Sequence, residues 1–387
     1  MNQDQIEFNK ILGQARKDAS VKGCLRGGEE QAGCSGKIVH AHSIQRGKIL
    51  ASIAEGSAGE IYYLGLSPSE DMAAMAPEFK REGIKKFSTF SGFCGGHDKA
   101  IFQPIEDVAF TATAKQLDIY AYRAAAKELH ANLESKQLCE TKLGDKLGKD
   151  DFPPHLQTTL PAILRGELHV PEFMLNVMLE GQANHQLRMR HKQCEHNIAE
   201  LRLICENLIG AIDQGHPLDF EHIYHSFEGT YPIACSTSFI PYFDHNGLRI
   251  ISEQGEQRLA QSYAKNYPEM KNVLLNIFPE NGKTHVIFTF SIGNLGFKDA
   301  IGNLLKLEDH VIRIGLSNMV LNYSENTAFG PKYIDENFSE DQITAIKDAF
   351  SSTIFDRRAF RTTNINLFVD APPPTATIRA TTDIAPP

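Results

Sequence analysis

Seven side chains among the first hundred residues have the types and spacing that do chemistry: Cys24, Cys34, His40, His42, Cys94, His97 and Asp98. Cys94-Gly95-Gly96-His97 is a two-ligand step, in which a tight turn brings a thiolate and an imidazole to one ion at about 2.3 and 2.0 Å. The two glycines between them would permit the positive-φ backbone that such a knuckle often uses. Cys24 and Cys34 stand in a glycine-rich stretch (Gly23, Gly27, Gly28, Gly33, Gly36) that makes a poor hydrophobic core. Added to Cys94 and His97 they give Cys3His, the donor set of a closed, tetrahedral structural zinc (Zn2+) site. The competing reading makes Cys24 and Cys34 ordinary buried thiols, as cysteines outside metal sites usually are, and His97 an exposed loop residue. In Ile38-Val39-His40-Ala41-His42 the two histidines fall on one strand face, because the side-chain period is two. Two imidazoles could converge on one phosphate there, and a histidine can take a proton from water at cellular pH. They could equally be a satisfied hydrogen-bonded pair in a small core, or one of them a further candidate for the zinc.

The order of these parts resembles the HNH (ββα-metal) endonucleases: a cysteine pair, a strand ending in His40-Ala41-His42-Ser43-Ile44, then a Cys-x-x-His knuckle opening a helix. Members of that family with an extra structural zinc are treble-clef proteins. The resemblance spans residues 24–106 and implies a hydrolase that cleaves phosphodiester bonds of DNA or RNA. By position it makes His42 the general base that activates water, and His40 a ligand of the catalytic ion or the alternative base. Asp98, directly after His97, becomes the helix-borne ligand of a catalytic Mg2+ or Mn2+. Three features depart from the family pattern. No asparagine occurs between Asn9 and Asn132, so Ser91 or Gln45 would have to orient the base. The long gap between His42 and Cys94 makes residues 55–87 an insertion. Phe102 stands where the last ligand of the family's helix belongs.

The elements that must position these residues fall into three regions of an α+β protein, followed by a tail. Residues 1–107 form the HNH-like treble-clef zinc domain. Residues 108–215 read as helical: 114–138 is rich in Ala, Leu, Glu and Lys, which are good helix formers. The signal returns over 183–213, with Leu187, Ile198, Leu201, Leu208 and Ile212 at three- and four-residue steps. The two stretches would pair as an antiparallel helical hairpin, joined through 152–171 and stopped at Gly215-His216-Pro217. Cys194 and Cys205 lie on one face of the second helix and read as core thiols, whereas His185, His191 and His196 among basic residues read as a solvated face. Residues 216–370 alternate strand and helix cues around two Asn-Gly turns, at Asn246-Gly247 and Asn281-Gly282, which predicts hairpins in an antiparallel sheet. Ser339 and Gln342 form a capping box before Ile343, Ile346 and Phe350. Residues 371–387, with five prolines and few apolar residues, read as a disordered tail.

Charge and composition narrow the function classes. The net charge of −9 argues against a protein that coats nucleic acid through global charge. Residues 1–100 nevertheless carry 13 basic against 12 acidic side chains, so this segment alone could approach a polyanion without a repulsive field. Seven cysteines, an odd number in a chain with no export signal at Met1-Asn2-Gln3-Asp4-Gln5, favour reduced thiols and metal ligation over a disulfide framework. A cytoplasmic protein without membrane association is expected. Gly282-Lys283-Thr284 resembles the end of a phosphate loop, but Ile277 occupies a position that requires glycine. Dehydrogenase, serine hydrolase and zincin motifs are absent from the sequence. Two functions remain: a nuclease of the bacterial defence or toxin type, or a non-catalytic, zinc-stabilised adaptor that binds nucleic acid or protein. Residues 108–370 would then supply regulation, a partner surface or homo-oligomerisation.

Overall fold

Two strands with almost every residue buried lie within the main sheet, Val273–Glu280 and Lys283–Ser291. They are joined at Asn281-Gly282, where φ is +53° and +79°, the paired left-handed geometry of a tight hairpin turn. A strand buried on both faces needs a layer on each side, and the surrounding helices provide them. The computed structural model describes residues 3–26, 34–69, 74–148, 152–215, 219–264, 270–355 and 359–370. The tail expected at 371–387 lies outside the described residues.

In chain order, the N-terminal part holds α1 (Gln3–Asp18), β1 (Ile38–His42), a π-helical turn (Arg46–Leu50), α2 (Ala51–Ile53), β2 (Glu60–Pro68), β3 (Met75–Gly83), β4 (Thr89–Cys94) and α3 (Gly95–Glu106). The middle holds α4 (Ala114–Leu143), α5 (Pro154–Leu164) and α6 (Glu172–Gln214). Then follow β5 (Phe220–Glu228), β6 (Ile233–Phe239), α7 (Glu253–Ala264), β7 (Val273–Glu280), β8 (Lys283–Ser291), α8 (Leu295–Leu304) and α9 (Asp309–Tyr323). The last elements are β9 (Thr327–Phe329), α10 (Pro331–Asn337) and α11 (Glu340–Phe355).

The main sheet has seven antiparallel strands in the order β3-β2-β9-β6-β7-β8-β5. Its alternating side chains enter two cores. Leu274, Phe278 and Ile287 pack with Tyr120, Ala124 and Leu201 of α4 and α6. Val273, Leu275, Ile277, Val286 and Phe288 pack with Phe297, Leu316 and Phe350 of α8, α9 and α11. The protein is therefore mixed α and β with antiparallel sheets, as the strand and helix cues imply. The long segment between His42 and Cys94 contains the β2–β3 hairpin, which joins this sheet through Tyr62 opposite Phe329.

Helices α4 and α6 run antiparallel. Asn132, Glu140 and Lys146 bond in turn to Asn197, His191 and Glu180, so one number rises as the other falls. α6 stops at Gly215, whose φ of +65° is the left-handed cap that glycine adopts at least cost. Ser339 and Gln342 cap α11 reciprocally, each side chain bonding the other's backbone N–H. The connection 152–171 contains α5, which Pro154 opens at a first-turn position. Two expectations need correction. His191 is buried against Glu140 rather than solvated. Leu248–Ile251 forms no strand: β6 ends at Phe239, Pro241 lacks the N–H a ladder needs, and one bridge between Phe243 and Arg249 remains around the Asn246-Gly247 turn.

Candidate metal centre

β1 and β4 form a separate two-stranded antiparallel ribbon, with Ile38 opposite Cys94 and His42 opposite Thr89. α3 follows β4 without a break, because Cys94 is both the last strand residue and the helix N-cap. Its Sγ accepts the His97 backbone N–H at 3.5 Å and the Ser35 N–H at 3.4 Å. The ribbon and α3 are fixed by Phe93 and Phe102, both wholly buried, whose rings meet edge to face at 5.2 Å. Each such ring contributes about 1.5–3 kcal/mol through burial.

Cys24, Cys34, Cys94 and His97 converge. Their ligand atoms all lie within 4.8 Å of one another, and Cys24 Sγ is 3.2 Å from His97 Nδ1. Bond lengths of about 2.3 Å to sulfur and 2.0 Å to nitrogen give a tetrahedron with edges of about 3.5–3.8 Å. The donor set reaches it with small shifts, the widest pairs closing and the Cys24–His97 pair opening by a few tenths of an ångström. Burial pushes the Cys94 thiol up, but hydrogen bonds from the amides of His97 and Ser35 outweigh it and bring the group down to about 6. A thiolate at a helix N-terminus is the form that ligates metal. Burial raises the Cys24 thiol, and hydrogen bonds from the backbone of Cys94 and Arg26 oppose this only in part. Three soft sulfurs and one imidazole make a group able to hold a metal ion such as zinc. The reading of Cys24 and Cys34 as unrelated buried thiols does not hold, since both are half-buried and face the same point. Gly95 and Gly96 have no positive φ; they form the first turn of α3, and the helix itself makes the knuckle.

The other candidate residues are arranged differently. His40 is exposed, and its Nδ1 lies 3.4 Å from Ser91 Oγ. His42 is half-buried and donates from Nε2 to the Ile84 carbonyl at 3.1 Å. The ribbon register is irregular between Val39 and Ala41, so the paired imidazoles have separate partners. Burial lowers the His42 pKa, and the Ile84 bond opposes this. Asp98, on the first turn of α3, is half-buried, which raises its carboxyl pKa against the pull of Arg123. Ser91 bonds His40, whereas Gln45 reaches the Glu106 carbonyl at 2.9 Å, so neither orients His42.

Two residues beside these were not expected from sequence. Arg123, on α4, is almost fully buried, pairs with Glu106 at the end of α3, and stacks over Phe102 at 4.2 Å. Its Nε and Nη1 have no hydrogen-bond partner. The charges of Arg123 and Glu106 act on both His42 and Asp98. The available signal was one cation inside the apolar run Tyr120-Ala121-Tyr122-Arg123-Ala124-Ala125-Ala126. Comparison with family models, curated proteins and solved structures returns no match. Among the described residues no helix is long and apolar enough to cross a membrane.

Proposed function

We propose that residues 24–106 form an HNH-like, treble-clef ββα module that hydrolyses phosphodiester bonds of nucleic acid, with zinc in the Cys3His site as a structural staple. The observation that carries this reading is the strand–strand–helix unit with a metal-ligand set at the β4–α3 junction and His42 at the end of the first strand. Zinc there would supply folding free energy and fix the ribbon against α3, with no part in the bond-breaking step.

His42 is the general base in this proposal. Its Nε2–H is committed to the Ile84 carbonyl, which leaves the Nδ1 lone pair of the neutral ring to accept a proton from water. Burial keeps that ring neutral at pH 7. His40, exposed beside Ser91, is placed to contact a phosphate by hydrogen bonding. A catalytic Mg2+ or Mn2+ at Asp98 fits poorly. One half-buried carboxyl with a raised pKa is a weak ligand, and the cationic Arg123 acts on the same space. No step is assigned to such an ion.

The test is cleavage of plasmid DNA and RNA by the full chain, with and without added Mg2+ or Mn2+. Wild type is expected to cleave, and His42→Ala to lose at least a hundredfold in rate with its zinc content unchanged. His40→Ala is expected to lose less. A folded, zinc-loaded wild type that is inert on every substrate overturns the nuclease reading in favour of a non-catalytic binding module.

A further inference from the structure

Ser43, the residue after His42, is 2% exposed, so its hydroxyl must find its hydrogen bonds inside the protein. Its Oγ accepts from Asn326 Nδ2 at 3.0 Å, across 283 positions of sequence. The same Nδ2 donates to the Ser236 carbonyl of β6 at 2.6 Å, and the Ser236 N–H returns a bond to the Asn326 carbonyl at 3.2 Å. One buried carboxamide therefore ties the main sheet to the end of β1, a strand of the separate ribbon. Asn326 is itself firmly held. Thr327 beside it pairs with Cys235 in the β9–β6 ladder, and Ser324 Oγ accepts from both Cys235 Sγ and Thr327 Oγ1. On its other side Ser43 meets the turn 84–88. Its N–H bonds the Ser88 carbonyl at 2.9 Å, and its Oγ meets the Ser88 hydroxyl. Ser88 is at φ +59°, a conformation that costs a serine free energy and persists only where the surroundings impose it. Earlier in the same turn, Ile84 supplies the carbonyl to which His42 Nε2 donates.

We infer that Asn326, from the far end of the chain, is a positioning residue that holds His42 in place through Ser43. The catalytic consequence rests on the nuclease reading, whereas the positional claim stands on these hydrogen bonds alone. The His42 ring is fixed by its own Nε2–H to Ile84, and the backbone that carries it is fixed one residue later by Ser43. Both anchors lie on the 84–88 turn, and Asn326 ties that pair of segments to the sheet. The chemistry at position 326 is specific. A carboxamide nitrogen carries two N–H groups and can serve the Ser43 and Ser236 oxygens together, whereas an aspartate of the same shape would set an acceptor against the Ser236 carbonyl. Without the amide, the end of β1 loses its link to the sheet and the Nε2–Ile84 bond becomes intermittent. The tautomer that leaves Nδ1 free to accept a proton is then no longer enforced.

The test reads the His42 ring by NMR in the full, zinc-loaded chain labelled with nitrogen-15 histidine, its signals being those lost in His42→Ala. Wild type is expected to show a neutral ring protonated at Nε2, with that proton slow to exchange with water. In Asn326→Ala and in Ser43→Ala the exchange should be about tenfold faster, and the double variant should be no worse than either, because both remove one bond. Zinc content and the amide protection of β7 and β8 should not change, which separates lost position from lost fold. Ser43→Ala keeps Asn326 and its bond to Ser236, so it decides the matter if Asn326→Ala fails to fold. If wild type cleaves nucleic acid, both variants should lower kcat about tenfold with KM unchanged. A wild type inert on every substrate overturns the nuclease reading alone, since the ring signals still decide whether Asn326 holds His42. Nε2–H exchange unaffected in both variants overturns the inference, as do effects that add in the double variant or an unchanged kcat in an active enzyme.

Discussion

The β1–β4–α3 unit and the β6–β7–β8 centre of the sheet achieve rigidity by different physical means. Over β7 and β8 nearly every side chain is buried, and apolar residues fill the cores on both faces. The ribbon is short, the segment before it carries several glycines in the sequence, and the four side chains that converge at its end are donors able to hold a metal ion rather than apolar anchors. Hydrophobic burial is distributed and tolerates small losses, whereas a metal node concentrates the free energy on four atoms. The contrast implies that each region has its own characteristic way to fail.

The largest expected effect follows from removing one ligand. Cys94→Ser should abolish stoichiometric metal, about one zinc per chain by elemental analysis. Structural zinc contributes of the order of 10 kcal/mol in small domains, so the loss should unfold the ribbon and expose β1, β4 and α3 to proteolysis. Amide hydrogen exchange should show the lost protection confined to β1, β4 and α3, with β7 and β8 still protected. Equal loss in the sheet would mean that the two regions unfold as one unit, joined through the core that Phe93, Phe102 and Tyr122 share with Leu274 and Phe278. The converse variant, Phe288→Ala, should cost about 3–5 kcal/mol of global stability by denaturant titration. Metal content should stay the same.

Acid sharpens the comparison with a smaller effect. His285 is buried; its Nε2 donates to the Glu280 carbonyl at 3.1 Å, and its Nδ1 accepts from the Tyr224 hydroxyl at 2.9 Å. Burial lowers its pKa, and the Glu280 carbonyl and carboxylate oppose this only in part. The unfolded chain therefore binds the proton more readily than the folded one. The stability tied to the neutral ring is complete above the ordinary histidine value of 6.5 and is eroded as pH falls through it. His285→Gln should flatten the pH dependence of unfolding between pH 7.5 and 5.5, at some cost in stability at pH 7.5. An unchanged slope would locate the acid sensitivity elsewhere.

Much of the local structure was legible from residue type. Asn281-Gly282 specified a left-handed turn that few other pairs adopt, and Ser339 with Gln342 specified a reciprocal cap. At Asn246-Gly247 the turn formed but the hairpin did not, since a turn signal cannot supply the strand hydrogen bonds that Pro241 interrupts. The Cys3His donors were legible as residue types, because soft ligands in a glycine-rich segment have few other uses. Local pattern could not reveal that the hairpin between His42 and Cys94 joins a sheet built mostly from residues after 219.

The sequence by itself determined the donor residue types, the helix caps and the tight turn, each depending on the residue itself or on neighbours a few positions apart. Only the tertiary structure decided that Arg123 stands beside Glu106 within range of His42 and Asp98, and that the two imidazoles separate. Those relations join residues tens of positions apart. Which of them form depends on how whole layers pack, and no short stretch of chain encodes that.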